Sequence, residues 1–166
     1  MNTNEGKQKF METWGAMASH WGISRSMAQV HACLLVTHEP VCADMIMESL
    51  KLSRGSVNTN LRSLMDWGLV HKKLIPGDRK DYFFAEKDMW TVFRQILINR
   101  KQKELNPLLK DLEEISAIKG DDPETKEFSK VIRDLKHVTQ TADAALDTLA
   151  NSKDNWFENP FLKMIH

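Results

Sequence analysis

The stretch from Leu52 to Ala85 most narrows what this chain can fold into. In LSRGSVNTNLRSL the apolar residues Val57, Leu61 and Leu64 recur at helical spacing, and Ser53 stands before them as an N-cap. The pattern stops at DWGL, where Gly68 offers the left-handed position that follows a helix C-terminus. The period then changes. VHKKLI and DYFFA are short β-rich runs joined by PGDRK, which predicts a hairpin with a Pro-Gly turn. Leu74, Tyr82 and Phe84 are the residues expected to anchor that hairpin to the core.

The outer face of this helix is unusual. It carries Ser56, Thr59, Asn60 and Ser63 together with Arg54 and Arg62, and no acid stands between Lys51 and Met65. Serine and asparagine are mediocre helix formers, so a helix with no contact role would more readily carry Glu, Lys and Ala there. Short hydrogen-bonding side chains let a backbone approach DNA, and arginine forks onto phosphate or guanine. Gly55 removes bulk at the helix N-terminus, where free N–H groups and the positive dipole end favour a phosphate. In the hairpin, Lys72 and Lys73 lie along one strand and Arg79 and Lys80 at the tip, where a basic ribbon reaches a minor groove.

Upstream, residues 5–20 read as a first helix with Phe10, Trp14, Met17 and Trp21 on one stripe, broken by Gly22. Ser24 caps a second helix with Met27, Val30, Leu34 and Leu35 turned inward, and THEPV ends it because Pro40 lacks an N–H. A short helix follows through Met45, Ile46 and Leu50. Helix, short helix, polar-faced helix and basic hairpin is the layout of a winged helix-turn-helix. Beyond Lys87 a long helical segment runs to about Ile118, with Pro107 expected to kink or split it near Glu104.

The last helix starts near Pro123 and reaches about Ala150. Along it Phe128, Ile132, Leu135, Thr139, Ala142, Leu146 and Leu149 alternate at spacings of four and three, a heptad seam that calls for a partner helix. That partner is either within the chain or a second copy. The tail holds Trp156, Phe157, Phe161 and Leu162 and is expected to pack. The fold class is therefore mainly α with a small β-hairpin wing. Residues 1–22 form an N-terminal dimerisation or packing helix, 23–86 a winged helix-turn-helix domain, and 87–166 a C-terminal helical dimerisation region.

Composition excludes little by itself. Of 166 residues, Lys+Arg and Asp+Glu number 23 each, so any polyanion-binding surface must be local. It is local: residues 51–80 carry seven basic side chains against Asp66 and Asp78. No membrane span or secretory leader is expected, and the two cysteines, Cys33 and Cys42, fit a reducing cytoplasm. His31, Cys33, His38 and Cys42 are potential metal ligands at poor spacing, so neither a metal nor another cofactor is expected. No nucleophile–base pair, phosphate loop or carboxylate dyad points to an enzyme.

The stretch LSRGSVNTNLRSLMDWGLVHKKLIPGDRKDYFFAE resembles the MarR-like winged-helix transcription regulators, specifically their GbsR branch. The resemblance rests on the SRGSV start, the L-R-x-L stripe, the W-G-L-V exit and the P-G-D-R-K-D-Y tip. It implies a symmetric dimer held by terminal helices, probing a palindromic operator on double-stranded DNA. By motif match, Ser53, Arg54, Ser56, Asn58, Thr59, Asn60 and Arg62 fall in the recognition helix and Arg79 at the wing tip. The seam residues Phe128, Ile132, Leu135, Ala142, Leu146 and Leu149 then become candidates for dimerisation. The branch's relation to choline and betaine also implies a small quaternary-ammonium effector in an aromatic cage, with Trp14, Trp21 or Trp90 as candidates. The expectation is a dimeric repressor; the alternative is a winged-helix adaptor that binds protein rather than DNA.

Overall fold

A computed structural model describes residues 1–20 and 23–152. Two compact units are present, one from Met1 to Val92 and a second that begins at Phe93. The first holds α1 (Thr3–His20), α2 (Arg25–Val36), β1 (Val41–Cys42), α3 (Ala43–Leu50), α4 (Arg54–Asp66), β2 (Val70–Leu74) and β3 (Asp81–Ala85). The unit boundary falls inside α5 (Met89–Arg100); α6 (Asn106–Ile115) and α7 (Pro123–Asn151) follow.

Helix starts and stops follow local chemistry. Ser24 Oγ accepts from Met27 N–H at 3.2 Å to open α2, and Ser53 Oγ accepts from Ser56 N–H at 3.2 Å to open α4. At the far end of α4, Gly68 takes φ 71°, its N–H bonds to Met65 O, and Leu69 N–H bonds to Leu64 O at 2.9 Å. That paired closure satisfies carbonyls the helix would otherwise leave open. The carbonyls ending α2 are met differently. Lys87 Nζ donates to the oxygens of Leu34 (2.8 Å), Leu35 (2.6 Å) and Thr37 (2.8 Å). Partial burial, with Lys7 nearby, holds the Lys87 ammonium below the ordinary lysine range. Replacing Lys87 with methionine keeps the stem and removes three donors. Urea unfolding should then show a loss of about 1–2 kcal/mol, reduced from the full charged-bond value because the site stays near water.

The core of this unit comprises Val30, Leu34, Ile46, Val57, Leu61, Leu64, Leu69 and Val70, all fully buried. Around it lies a three-stranded antiparallel sheet in the order β1-β3-β2. Its register pairs Val41 with Phe83, Lys72 with Phe83 from the other side, and Leu74 with Asp81. The strand β1 was not expected from the sequence, since two residues carry no period.

The face the wing turns inward also differs from expectation. Phe83, Val70 and Ala85 are buried, whereas Leu74 is 72% and Phe84 37% exposed. Phe84 tilts against His71, and Tyr82 donates its hydroxyl to Asp78. In DYFFA both alternating sets are apolar, so the pattern does not say which set faces in; pairing of Phe83 with Val41 decides it.

In the second unit the α-helical segment is interrupted near Glu104, where Pro107 was expected to kink or split it: Lys101–Leu105 forms a π-helical turn, in which Asn106 N–H reaches back to Lys101 O. Pro107 then occupies the first turn of α6, where its missing N–H costs nothing. The α7 helix opens on Asp122, which accepts from Thr125 N–H at 2.9 Å. It runs antiparallel to the preceding segment: Lys136 pairs with Glu113, and Lys101 with Asp147 and, at 3.2 Å, with Asp143.

The predicted heptad seam divides. Ile132 and Thr139 are buried and Leu146 is half-buried. Phe128, Leu135 and Ala142 lie exposed, as do Val131 and Val138, at 43% for Phe128, 44% for Leu135, 57% for Val131 and 64% for Val138. The apolar arc of α7 is wider than its own chain covers. The apolar tail and Trp21 lie outside the described residues.

Candidate nucleic-acid interface

The outer side of α4 carries Arg54, Asn58, Thr59 and Arg62, all exposed. Ser53 is exposed but engaged as the cap, and Ser56 is half-buried. Asn60 departs from the expectation that it faces outward. It is 8% exposed and its Nδ2 donates to Ser56 Oγ at 3.4 Å, because a position three residues after Val57 returns to the inner side of the helix. A Cβ added to Gly55 would meet open space, so the packing of the chain does not itself require glycine there.

The wing stands beside this helix with every residue from 71 to 80 exposed. Gly77 at φ 86° makes the tight tip. Asp78 belongs to the turn: it accepts from Lys80 N–H at 2.9 Å and Tyr82 Oη–H at 2.7 Å, and these bonds hold its carboxyl below the usual aspartate range. Asp81 is engaged by Lys72 at 2.8 Å. The Arg79 side chain therefore pairs with neither acid. Among the described residues Arg62, Lys73 and Arg79 have no ion-pair partner. A cleft between helix and wing is lined by Arg54, Asn58, Arg79 and Lys80, and continues past Arg62 and Lys72.

One acid enters this cleft that the sequence reading did not place there. Asp44, in the first turn of α3, accepts from Arg54 Nη2 at 2.6 Å and lies 3.5 Å from Lys80 Nζ. No local signal links residues ten and thirty-six positions apart.

The remaining candidates sit elsewhere. His31 and Cys33 are buried in α2, His38 is exposed, and no group of three metal-ligating side chains gathers among the described residues. Burial holds the His31 imidazole down at about 4, assisted by the charge of Lys87. Trp14 is half-buried, stacks on Phe10 at 5.5 Å and tilts against His31 at 5.8 Å. Trp90 is half-buried at the start of α5. No helix among the described residues is long and apolar enough to cross a membrane.

Comparison with known proteins follows the same lines. Residues 17–87, which include α2 through β3 and the whole cleft, match the family described as sugar-specific transcriptional regulator TrmB. Over 97 residues the chain is 29% identical to the HTH-type transcriptional repressor GbsR of Bacillus subtilis (strain 168), a match covering 58% of this chain and 53% of that protein. The chain thus spans about half the length of the curated relative it matches. A solved structure described as the crystal structure of a transcriptional regulator superposes with a TM-score of 0.65 at 20% identity, covering 87% of this chain and 95% of that one, a likeness of fold. The fold is a winged helix-turn-helix, and the matched stretches are similar to those of transcription regulators. The similarity to GbsR agrees with the resemblance carried by residues 52–86.

Proposed function

We propose that this chain is a sequence-specific DNA-binding transcription regulator. It acts in the cytoplasm as a homodimeric repressor that excludes polymerase by occupying a palindromic operator. The observation that carries the reading is the cleft itself: Arg54, Asn58, Thr59 and Arg62 project from one side of α4, beside a wing whose cations are solvent-facing. Helix side chains of this kind reach base edges in a major groove, while Lys72, Lys73, Arg79 and Lys80 meet phosphates and the neighbouring minor groove. The outward apolar stripe of α7 supports pairing with a second copy, which would set two recognition helices on one duplex.

Fluorescence anisotropy with duplexes from upstream of the protein's own gene tests the reading. Binding should weaken steeply as salt rises; the absence of any salt-dependent binding contradicts it. Lys73→Ala should weaken all sequences alike and reduce the salt slope by about one, because a phosphate contact carries no sequence information. A loss confined to one sequence would assign Lys73 to base readout instead.

A further inference from the structure

The face that should meet a polyanion has a carboxylate built into it. Asp44 stands on α3, outside the recognition helix, yet it joins the two halves of the cleft by holding Arg54 of α4 and Lys80 of the wing. All three side chains remain open to water, at 44% exposure for Asp44, 66% for Arg54 and 57% for Lys80, so these pairs are weak and exchangeable. We infer that Asp44 is a specificity-determining residue, an internal stand-in for a DNA phosphate that suppresses binding to unmatched sequences. The inference rests on the DNA-binding reading given above.

The geometry separates two kinds of contact. Arg54 gives Asp44 one nitrogen, Nη2, and keeps its other donors free. A guanine edge met by those donors leaves the Asp44 bond in place, and the carboxylate fixes the guanidinium plane for it. A phosphate drawn into the cleft faces the carboxylate directly. It must either take Arg54 and Lys80 away from Asp44 or sit beside a like charge. Non-specific binding is almost wholly phosphate contact, whereas matched binding also draws on base edges. A fixed carboxylate at this point therefore weakens the first more than the second. Asp44 acts through Arg54 and Lys80 and is a positioning residue, not itself a base contact.

The test compares affinity for a duplex recovered by in vitro selection with affinity for mixed-sequence duplex, across a salt series. Asp44→Asn should tighten binding to mixed-sequence DNA about three- to tenfold at low salt and the selected duplex by less, so that the ratio falls. Its salt slope should steepen by about one for each cation released to phosphate. Asp44→Glu, which keeps the charge, should restore most of the ratio, a rescue that a merely structural role would not give. In an Arg54→Ala background the effect of Asp44→Asn should shrink to the part carried by Lys80. An unchanged ratio in Asp44→Asn, or a parallel loss on both duplexes, overturns the inference while the DNA-binding reading stands. Failure of the unaltered protein to bind either duplex overturns that reading and the inference with it.

Discussion

Arg62→Glu combined with Arg79→Glu is expected to lower affinity for DNA by about a hundredfold or more, with the folded structure intact. The two arginines lie on different parts of the cleft, one on α4 and one at the wing tip, and neither has an ion-pair partner among the described residues. Reversal removes two phosphate-directed cations and sets two carboxylates against a polyanion, and like charges juxtaposed at an interface cost several kcal/mol. Because both side chains are exposed, unfolding stability should change by no more than about 0.5 kcal/mol. Anisotropy titration beside urea unfolding checks both statements. Retained DNA affinity, or retained repression in cells, would favour the adaptor alternative, in which the basic cleft has no polyanion to meet.

The second large effect concerns assembly. Leu135→Glu with Val138→Glu is expected to turn a dimer into a monomer in sedimentation, and to weaken binding to a two-half-site duplex far more than to a single half-site. Leu135 and Val138 lie on the outward side of α7, so charge there disturbs little within the chain. In a dimer they would be buried, each contributing about 1.5–3 kcal/mol, and two carboxylates per copy would face each other across the symmetry axis. The inner stripe cannot serve this purpose, since Ile132 and Thr139 are already covered by their own chain. A protein that sediments as a monomer before any substitution contradicts the palindromic reading, while leaving recognition by a single winged domain intact.

The parts of this molecule that were legible in the sequence are those set by neighbours in the chain. Ser24 and Ser53 cap the helices they precede because an N-cap needs only its own next three residues. Gly68 and Gly77 adopt the positive φ that the helix exit and the wing tip require. The order of helices and hairpin followed from changes of period, and with it the winged layout. What was not legible depends on contacts between distant segments. Asn60 belongs to the inner side by one residue of helical phase. The wing's inner face is chosen by β1, a two-residue strand with no pattern of its own. The seam on α7 read as one stripe, yet its two edges meet different surroundings, which no spacing rule reports. Asp44 reaches the cleft only because α3 packs on α4, and so the acid-free outer face of the helix is in fact served by an acid from elsewhere.

The central claim is that α4 enters a major groove while the wing reaches an adjacent minor groove. Methylation protection on a selected duplex tests this most directly, since guanine N7 lies in the major groove and adenine N3 in the minor. The expected pattern is two patches of guanine N7 protection about one helical turn apart, each flanked by protected adenine N3 that is lost in Arg79→Ala. Binding that leaves every guanine N7 of a guanine-containing site open to methylation would contradict the placement of Arg54 and Arg62 on base edges.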